Sequence, residues 1–230
     1  FKPNITATVL ERFRAAGAVS IGRRNMTEFA LGPTGHNAIW GDCRNPWNTA
    51  HVPCGSSSGS GAAVAARIVY ASLGSDTGGS TRLPASASGG TGIKPTHSRV
   101  SRHGVMGLSF SVDTPGPIAR SAADLARVLR VIAGHDPLDP TSSRLPVPDY
   151  EGGLTRSIAG LRIGVPRNYF FADVDPVIGA SIEAALGILE SLGAKRVAVS
   201  VSLAERMSEL SRALVYSEAT ALHGHYLRTQ

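Results

Sequence analysis

Apolar side chains recur at helical spacing in the first part of the chain: Val9, Leu10, Phe13 and Ala16 predict an amphipathic helix over 7–16. Gly17 is placed to end it. A short apolar run predicts a strand over 18–21, and 25–31 reads as a short helix. Further helices are expected over 62–71, where small residues dominate, and over 122–133, where Leu125, Val128, Leu129 and Ile132 share a face. Strands over 161–165 and 196–201 bracket a helix over 177–192, and a last helix or helix pair covers 203–227. Helices alternating with short apolar strands give an α/β class: a mixed, mostly parallel sheet flanked by helices. The expectation is one domain over 1–230, with 134–160, crowded by Pro137, Pro140, Pro146, Pro148, Gly152 and Gly153, forming a surface excursion.

Two stretches break this rhythm. Residues 32–60 and 75–117 are polar and rich in Gly, Ser, Thr and Pro, and long irregular segments inside a compact domain are usually functional. The chain has 26 glycines and 14 prolines in 230 residues, well above the usual combined share of about 12%. Shaped loops are therefore a main feature of the fold.

Composition removes several function classes. Aromatic residues are 6% of the chain, too few for a base-stacking platform. The net charge is +6, but the arginines are scattered and the only lysines are Lys2, Lys94 and Lys195. No basic stripe marks a nucleic-acid footprint, and the charge reads as solvated surface. Cys43 and Cys54 form no metal-type spacing, so free thiols in a reducing, cytoplasmic setting are expected. The most apolar stretch, 62–73, is interrupted by Arg67, and no membrane span or secretory leader is expected. None of the seven histidines lies in a motif. His223 and His225, two apart, do not share a helix face, which speaks against a metal pair.

The chemistry is expected in two loops. One is Pro53-Cys54-Gly55-Ser56-Ser57-Ser58-Gly59-Ser60-Gly61, leading into a helix. The other is Gly74-Ser75-Asp76-Thr77-Gly78-Gly79-Ser80-Thr81-Arg82-Leu83-Pro84. Consecutive N–H groups in such loops form a nest for an anion or oxyanion. Ser80 follows a Gly-Gly pair, which sets a hydroxyl beside those donors, as acyl transfer requires. Taken locally, the same loops are also compatible with serine-capped glycine turns or with phosphate at a helix N-terminus. Residues 55–59 match GxSxG formally, but the elbow needs a buried strand before it, and 51–54 make a poor one. A phosphate-binding P-loop needs a lysine that is not there.

The motifs taken in order resemble the amidase signature family of amide hydrolases. Residues 22–30 (GRRNMTEFA), Asn45-Pro46-Trp47-Asn48, the serine-rich loop 55–60, the loop 74–84, Gly92-Ile93-Lys94-Pro95-Thr96, Asp113-Thr114-Pro115-Gly116-Pro117 and Leu161-Arg162-Ile163-Gly164-Val165-Pro166 carry the resemblance over essentially the whole chain. It implies a Ser–cis-Ser–Lys catalytic set with Ser80 as nucleophile and Ser56 as bridging serine. It implies oxyanion donors on Thr77, Gly78, Gly79 and Ser80, and supporting roles for Ser57, Asp76 and Arg82.

The resemblance further implies hydrolysis of a carboxamide to acid plus ammonia or amine through a serine acyl-enzyme, with no metal or organic cofactor. The partner is then a small-molecule amide, with no direct nucleic-acid or membrane contact, and either a homo-oligomer or partner subunits. The alternatives are the A subunit of a tRNA-dependent amidotransferase, which frees ammonia from glutamine, and a catalytically dead fragment. The family's lysine base has no counterpart: Lys2 lies in a stretch that resembles the one just after the lysine motif, Lys94 matches a structural segment, and Lys195 sits in a turn. The chain is accordingly expected to be an internal fragment, truncated at both ends. Cys54 stands where the family usually has glycine.

Overall fold

The computed structural model describes residues 3–229. The chain divides into two compact units, Phe1–Leu154 with Val215–Gln230, and Thr155–Leu214.

The first unit is built on a three-stranded sheet of order β1-β3-β2: β1 is Ala71–Asp76, β2 Thr91–Gly92 and β3 Thr114–Ala119. Both neighbours run antiparallel to β3. The α/β reading stands and the sheets are mixed in sense, but this larger sheet is antiparallel rather than mostly parallel. Proline at 115 and 117 hides β3 from a propensity reading, because proline cannot donate to a ladder. The register explains why it is tolerated. Pro117 O accepts from Ile93 N at 3.2 Å, so the odd-numbered backbone groups of β3 face the two-residue β2. The even-numbered positions Thr114, Gly116 and Ile118 face β1 and supply its ladder. The β1 ladder therefore loses no donor to proline.

Helices cover the sheet on both faces. The helices α1 (Thr8–Ala15), α2 (Ser58–Ala65), α3 (Arg82–Ala87) and α4 (Ala122–Ile132) carry the core residues. Val64 of α2, Ala85 of α3 and Ile118 of β3 form one cluster. Val9 of α1, Val100, and Leu129 and Ile132 of α4 form the other, with Leu73 and Ile93 packed against it. Neighbouring strand positions such as 72 and 73 point to opposite faces, which is how one thin sheet serves two cores. Ser121 caps α4 by accepting from Asp124 N at 3.1 Å and returns a hydroxyl bond to the Asp124 carboxylate at 2.8 Å.

The expected helices over 7–16 and 122–133 are present almost as read. No strand forms over 18–21, and 25–31 shortens to one 3-10 turn, Glu28–Ala30, because Phe29 and Ala30 adopt φ of 52° and 59°. The helix expected over 62–71 instead spans Ser58–Ala65, and its last residues give way to β1. Within 134–160, Asp136, Asp139 and Ser142 are buried, and α5 (Tyr150–Gly153) follows. Asp136 accepts hydroxyl bonds from Thr8 at 2.6 Å and Ser101 at 2.5 Å, and the Leu138 N–H at 2.9 Å.

The second unit is a β-α-β arrangement. Strands β4 (Arg162–Pro166) and β5 (Lys195–Val199) pair in parallel, and α6 (Pro176–Ser191) connects them, as a parallel pair requires. Asp175 caps α6 by accepting from Val177 N at 2.8 Å. The final helix, α7 (Met207–Thr229), runs through the boundary at residue 215. Among the described residues no helix is long and apolar enough to cross a membrane.

Candidate active site

Strand β1 delivers Asp76 to the start of the turn Thr77–Ser80, and α3 begins two residues after it. The Asp76 carboxylate is fully buried and collects five donors. Oδ1 accepts from Gly79 N at 2.8 Å and Arg82 Nη2 at 2.9 Å. Oδ2 accepts from Thr81 N and Arg82 N, both at 3.2 Å, and from Arg82 Nε at 3.0 Å. Burial pushes this carboxyl up, but the Arg82 guanidinium and the two backbone donors outweigh it and hold it below its ordinary value. Asp76 and Arg82 thus shape the turn that presents Ser80.

The serine-rich loop lies against the outer edge of β1. Leu73 and Ser75 turn their backbone groups away from β3, leaving an edge that needs partners. Ser60 Oγ donates to Leu73 O at 2.6 Å. Ser57 Oγ accepts from Ser75 N at 3.2 Å and donates to Ser75 O at 3.4 Å. Two serines therefore stand in for a neighbouring strand. The approach is close enough to require glycine: a Cβ on Gly74 would lie 2.7 Å from Ser57 Oγ and 2.9 Å from Thr81 Oγ1. The backbone completes the junction, with Ser57 N donating to Ser80 O at 3.2 Å and Thr27 N donating to Ser56 O at 3.1 Å.

Ser56 follows a cis peptide bond from Gly55. Its side chain is fully buried, and its hydroxyl has no hydrogen-bond partner among the described residues. Buried hydroxyls are normally paired; those of Thr81 and Ser88 are orphaned likewise, and Ser56 is set apart by its neighbour Ser57, whose N–H donates to Ser80 O.

Of the four expected oxyanion donors, Gly79 N–H is engaged by Asp76. The N–H groups of Thr77, Gly78 and Ser80 make no hydrogen bond among the described residues, and the side of Gly78 where a Cβ would stand is open. Ser80 is half-buried. The loops therefore bring together Ser56, Ser57, Asp76, Thr77, Gly78, Gly79, Ser80 and Arg82, with Gly79 serving the carboxylate rather than the open side.

No described lysine reaches these serines through a hydrogen bond. Lys94 Nζ donates to Pro95 O at 3.2 Å, Lys195 starts β5, and Lys2 lies outside the described residues. Cys54 has φ of 60°, the left-handed region that glycine adopts without strain. Cys43 and Cys54 are free thiols, and burial pushes the Cys43 thiol up. Among the described residues no His, Cys, Asp or Glu cluster is placed to hold a metal ion.

Sequence reasoning passed over Asp113. It opens one of the family-like motifs, yet nothing in one sequence shows that its carboxylate meets the nucleophile turn. Thr77 Oγ1 donates to Asp113 Oδ1 at 2.5 Å.

A family model for Amidase matches residues 1–229. The chain is 48% identical over 201 residues to the A subunit of glutamyl-tRNA(Gln) amidotransferase from Geobacter sulfurreducens, covering 87% of this chain and 41% of that protein. It is 51% identical to the corresponding protein of Chloroflexus aggregans, with the same coverage. The chain thus spans about two-fifths of the length of these curated relatives. Among solved structures, the A subunit of the Thermotoga maritima enzyme superposes with a TM-score of 0.91 at 37% identity, over 94% of this chain and 48% of that one. The native peptide amidase of Stenotrophomonas maltophilia gives 0.86 at 38% identity, over 100% of this chain and 48% of that one.

Proposed function

Since the chain belongs to the amidase family, we propose that its protein hydrolyses the amide bond of a small, non-peptide carboxamide through an acyl-enzyme on Ser80. Both compact units are taken as parts of one amidase domain, because the family match runs through both.

Ser80 Oγ attacks the carbonyl carbon as its proton passes to Ser56 and on to a base. The N–H groups of Thr77, Gly78 and Ser80 take the oxyanion. The tetrahedral intermediate collapses, the nitrogen leaves protonated as ammonia or an amine, and Ser80 keeps the acyl group as an ester. Water then attacks that ester, releases the acid and restores the serine. A serine hydroxyl needs a base to become nucleophilic. The base is assigned to a neutral lysine amine in the part of the family domain that this chain does not span. Burial favours the neutral form of such an amine. The mechanism calls on no metal or organic cofactor.

The observation that carries this reading is the buried, unpartnered Ser56 hydroxyl, next in sequence to the residue whose N–H binds Ser80 O. Free cysteines suit a reducing compartment, and a cytoplasmic location goes with the proposal.

A second reading is favoured by the names of the relatives: the protein is the A subunit of an amidotransferase, and the amide is that of glutamine. The same serines would free ammonia for a partner subunit, and tRNA would be held by that partner. As a simple amidase the protein could instead be a homo-oligomer. The test is ammonia release by the protein that carries this chain, assayed with L-glutamine and with simple aryl and aliphatic carboxamides. Turnover of simple amides supports the first reading. Turnover of glutamine alone, in a complex with a tRNA-binding subunit, supports the second. No turnover of any amide by a folded protein overturns both.

A further inference from the structure

Asp113 and Glu218 are two buried carboxylates outside the serine loops, and a chain of hydrogen bonds joins them to the nucleophile turn. We propose that Asp113 is a positioning residue for the oxyanion donors, acting through the Thr77 hydroxyl, and that Glu218 braces the loop that carries it. The proposal rests on the serine-amidase reading above.

The turn is held at two points. Asp76 grips Gly79 N at 2.8 Å from the strand side. Asp113, at the start of β3, grips Thr77 Oγ1 at 2.5 Å. Between these anchors lies the peptide linking Thr77 to Gly78. Gly78 has no side chain, and nothing stands within 4 Å of where its Cβ would be. Among the described residues, then, the direction of the Gly78 N–H depends on these two carboxylates, while the Thr77 N–H belongs to the preceding peptide, at the end of β1. Oxyanion stabilisation depends on donors fixed before the charge develops, so an anchor on Thr77 bears on rate rather than on binding.

Asp113 is itself held firmly. Its Oδ2 accepts from Leu108 N at 2.7 Å and Ser109 N at 2.9 Å, and its own N–H donates to Ser109 O at 2.9 Å. This loop is in turn pinned to α7. The hydroxyls of Ser109 and Ser111 both donate to the Glu218 carboxylate, which also accepts from Ser111 N at 3.1 Å. Burial pushes the Glu218 carboxyl up, but the bonds from Ser109 and Ser111 outweigh it and keep it below its ordinary value. One turn further along α7, His223 Nε2 lies 2.7 Å from Gly107 O. A carboxylate that receives two backbone donors and reaches one hydroxyl across the fold does more than close its own loop.

The test uses the protein that carries this chain and a fluorophosphonate probe, whose phosphoryl oxygen needs the same donors as an amide oxyanion. Labelling rate at saturation and half-saturating concentration are read separately, with Tm recorded for each variant. Thr77→Val, which keeps the shape and removes the hydroxyl, is expected to slow saturated labelling by about 10–100-fold with little change in half-saturation. Thr77→Ser restores the hydroxyl and is expected to recover most of that loss. Asp113→Asn is expected to slow labelling over the same range, and the double variant Thr77→Val/Asp113→Asn to be no slower than the slower single one. Glu218→Gln, further from the turn, is expected to give a smaller loss in the same parameter and keeps the test open if Asp113 variants do not fold. If the wild type labels and Thr77→Val labels equally fast, this inference falls and the serine reading survives. The inference falls in the same way if the Thr77→Val and Asp113→Asn losses multiply. If the folded wild type does not label at all, the serine reading falls and takes this inference with it.

Discussion

Arg82 grips Asp76 through two N–H···O bonds, Nε to Oδ2 at 3.0 Å and Nη2 to Oδ1 at 2.9 Å. The carboxylate is fully buried while the guanidinium is half exposed. The pair therefore works mainly by satisfying Asp76, which would otherwise be a buried charge with backbone donors alone. Arg82→Ala is expected to destabilise the protein by about 2 kcal/mol, discounted from a fully buried pair because Arg82 meets solvent. Arg82→Lys keeps the charge but loses the planar fork, so it should fall between wild type and alanine. Urea unfolding checks the order, and a lysine variant as stable as wild type would contradict it.

The edge of β1 gives a second expectation. Gly74 lets Ser57 approach, and a Cβ there would meet Ser57 Oγ at 2.7 Å. Gly74→Ala is expected to cost about 1–3 kcal/mol by overpacking. It should also lower activity by more than its effect on stability accounts for, because Ser57 holds Ser80 through its N–H. Activity per folded molecule, measured at a temperature where both proteins are folded, separates the two effects.

These two pairs show what one sequence can and cannot disclose. Ser56, Ser80, Asp76 and Arg82 were legible because their glycine–serine loops, ambiguous when taken alone, stand in a series of motifs whose order resembles a known family. Helices α1, α4 and α6 were legible because each carries a repeating pattern or a capping residue. Strands β1 and β3 were not. The run Ala71–Asp76 contains glycine and serines in place of β-branched residues, since its outer edge is satisfied by Ser57 and Ser60 hydroxyls. β3 contains prolines that are harmless only because their neighbour β2 is two residues long. The role of Asp113 was hidden for a third reason: its partner Thr77 lies far away in sequence, and only folding joins them.

Cys54 adopts a φ of 60°, where an L side chain is strained by roughly 1–2 kcal/mol and glycine is not. Part of that gain is offset by the greater freedom of glycine in the unfolded chain. Cys54→Gly is therefore expected to raise stability by about 0.5–1 kcal/mol, and Cys54→Ala to leave it nearly unchanged. Thermal or chemical unfolding of the two variants side by side decides this. Equal stabilisation by alanine would mean that the thiol, not the backbone, is the source of strain.

Asp136 sets an acid limit. Burial pushes its carboxyl up, but the Ser101 and Thr8 hydroxyls and the Leu138 N–H prevail and lower it to about 2. A carboxylate with a depressed folded pKa stabilises the fold above its unfolded value, near 3.9, and loses that contribution as pH falls toward the folded value. About 2 kcal/mol should therefore disappear between roughly pH 4 and pH 2. Asp136→Asn should be less stable than wild type at neutral pH, and the difference should shrink through that window. A difference that stays constant from pH 7 to pH 2 would rule out this role for Asp136.

The proposed mechanism stands or falls on Ser80 as the nucleophile and Ser56 as its proton partner. The sharpest measurement is the intact mass of the protein after treatment with a fluorophosphonate, for wild type, Ser80→Ala and Ser56→Ala. The mechanism predicts one adduct on wild type, mapped to the peptide containing Ser80, and none on Ser80→Ala. It predicts labelling slowed by about 10²-fold or more on Ser56→Ala, the scale of a lost general-base relay. An adduct that persists on Ser80→Ala, or maps to another serine in wild type, would contradict it.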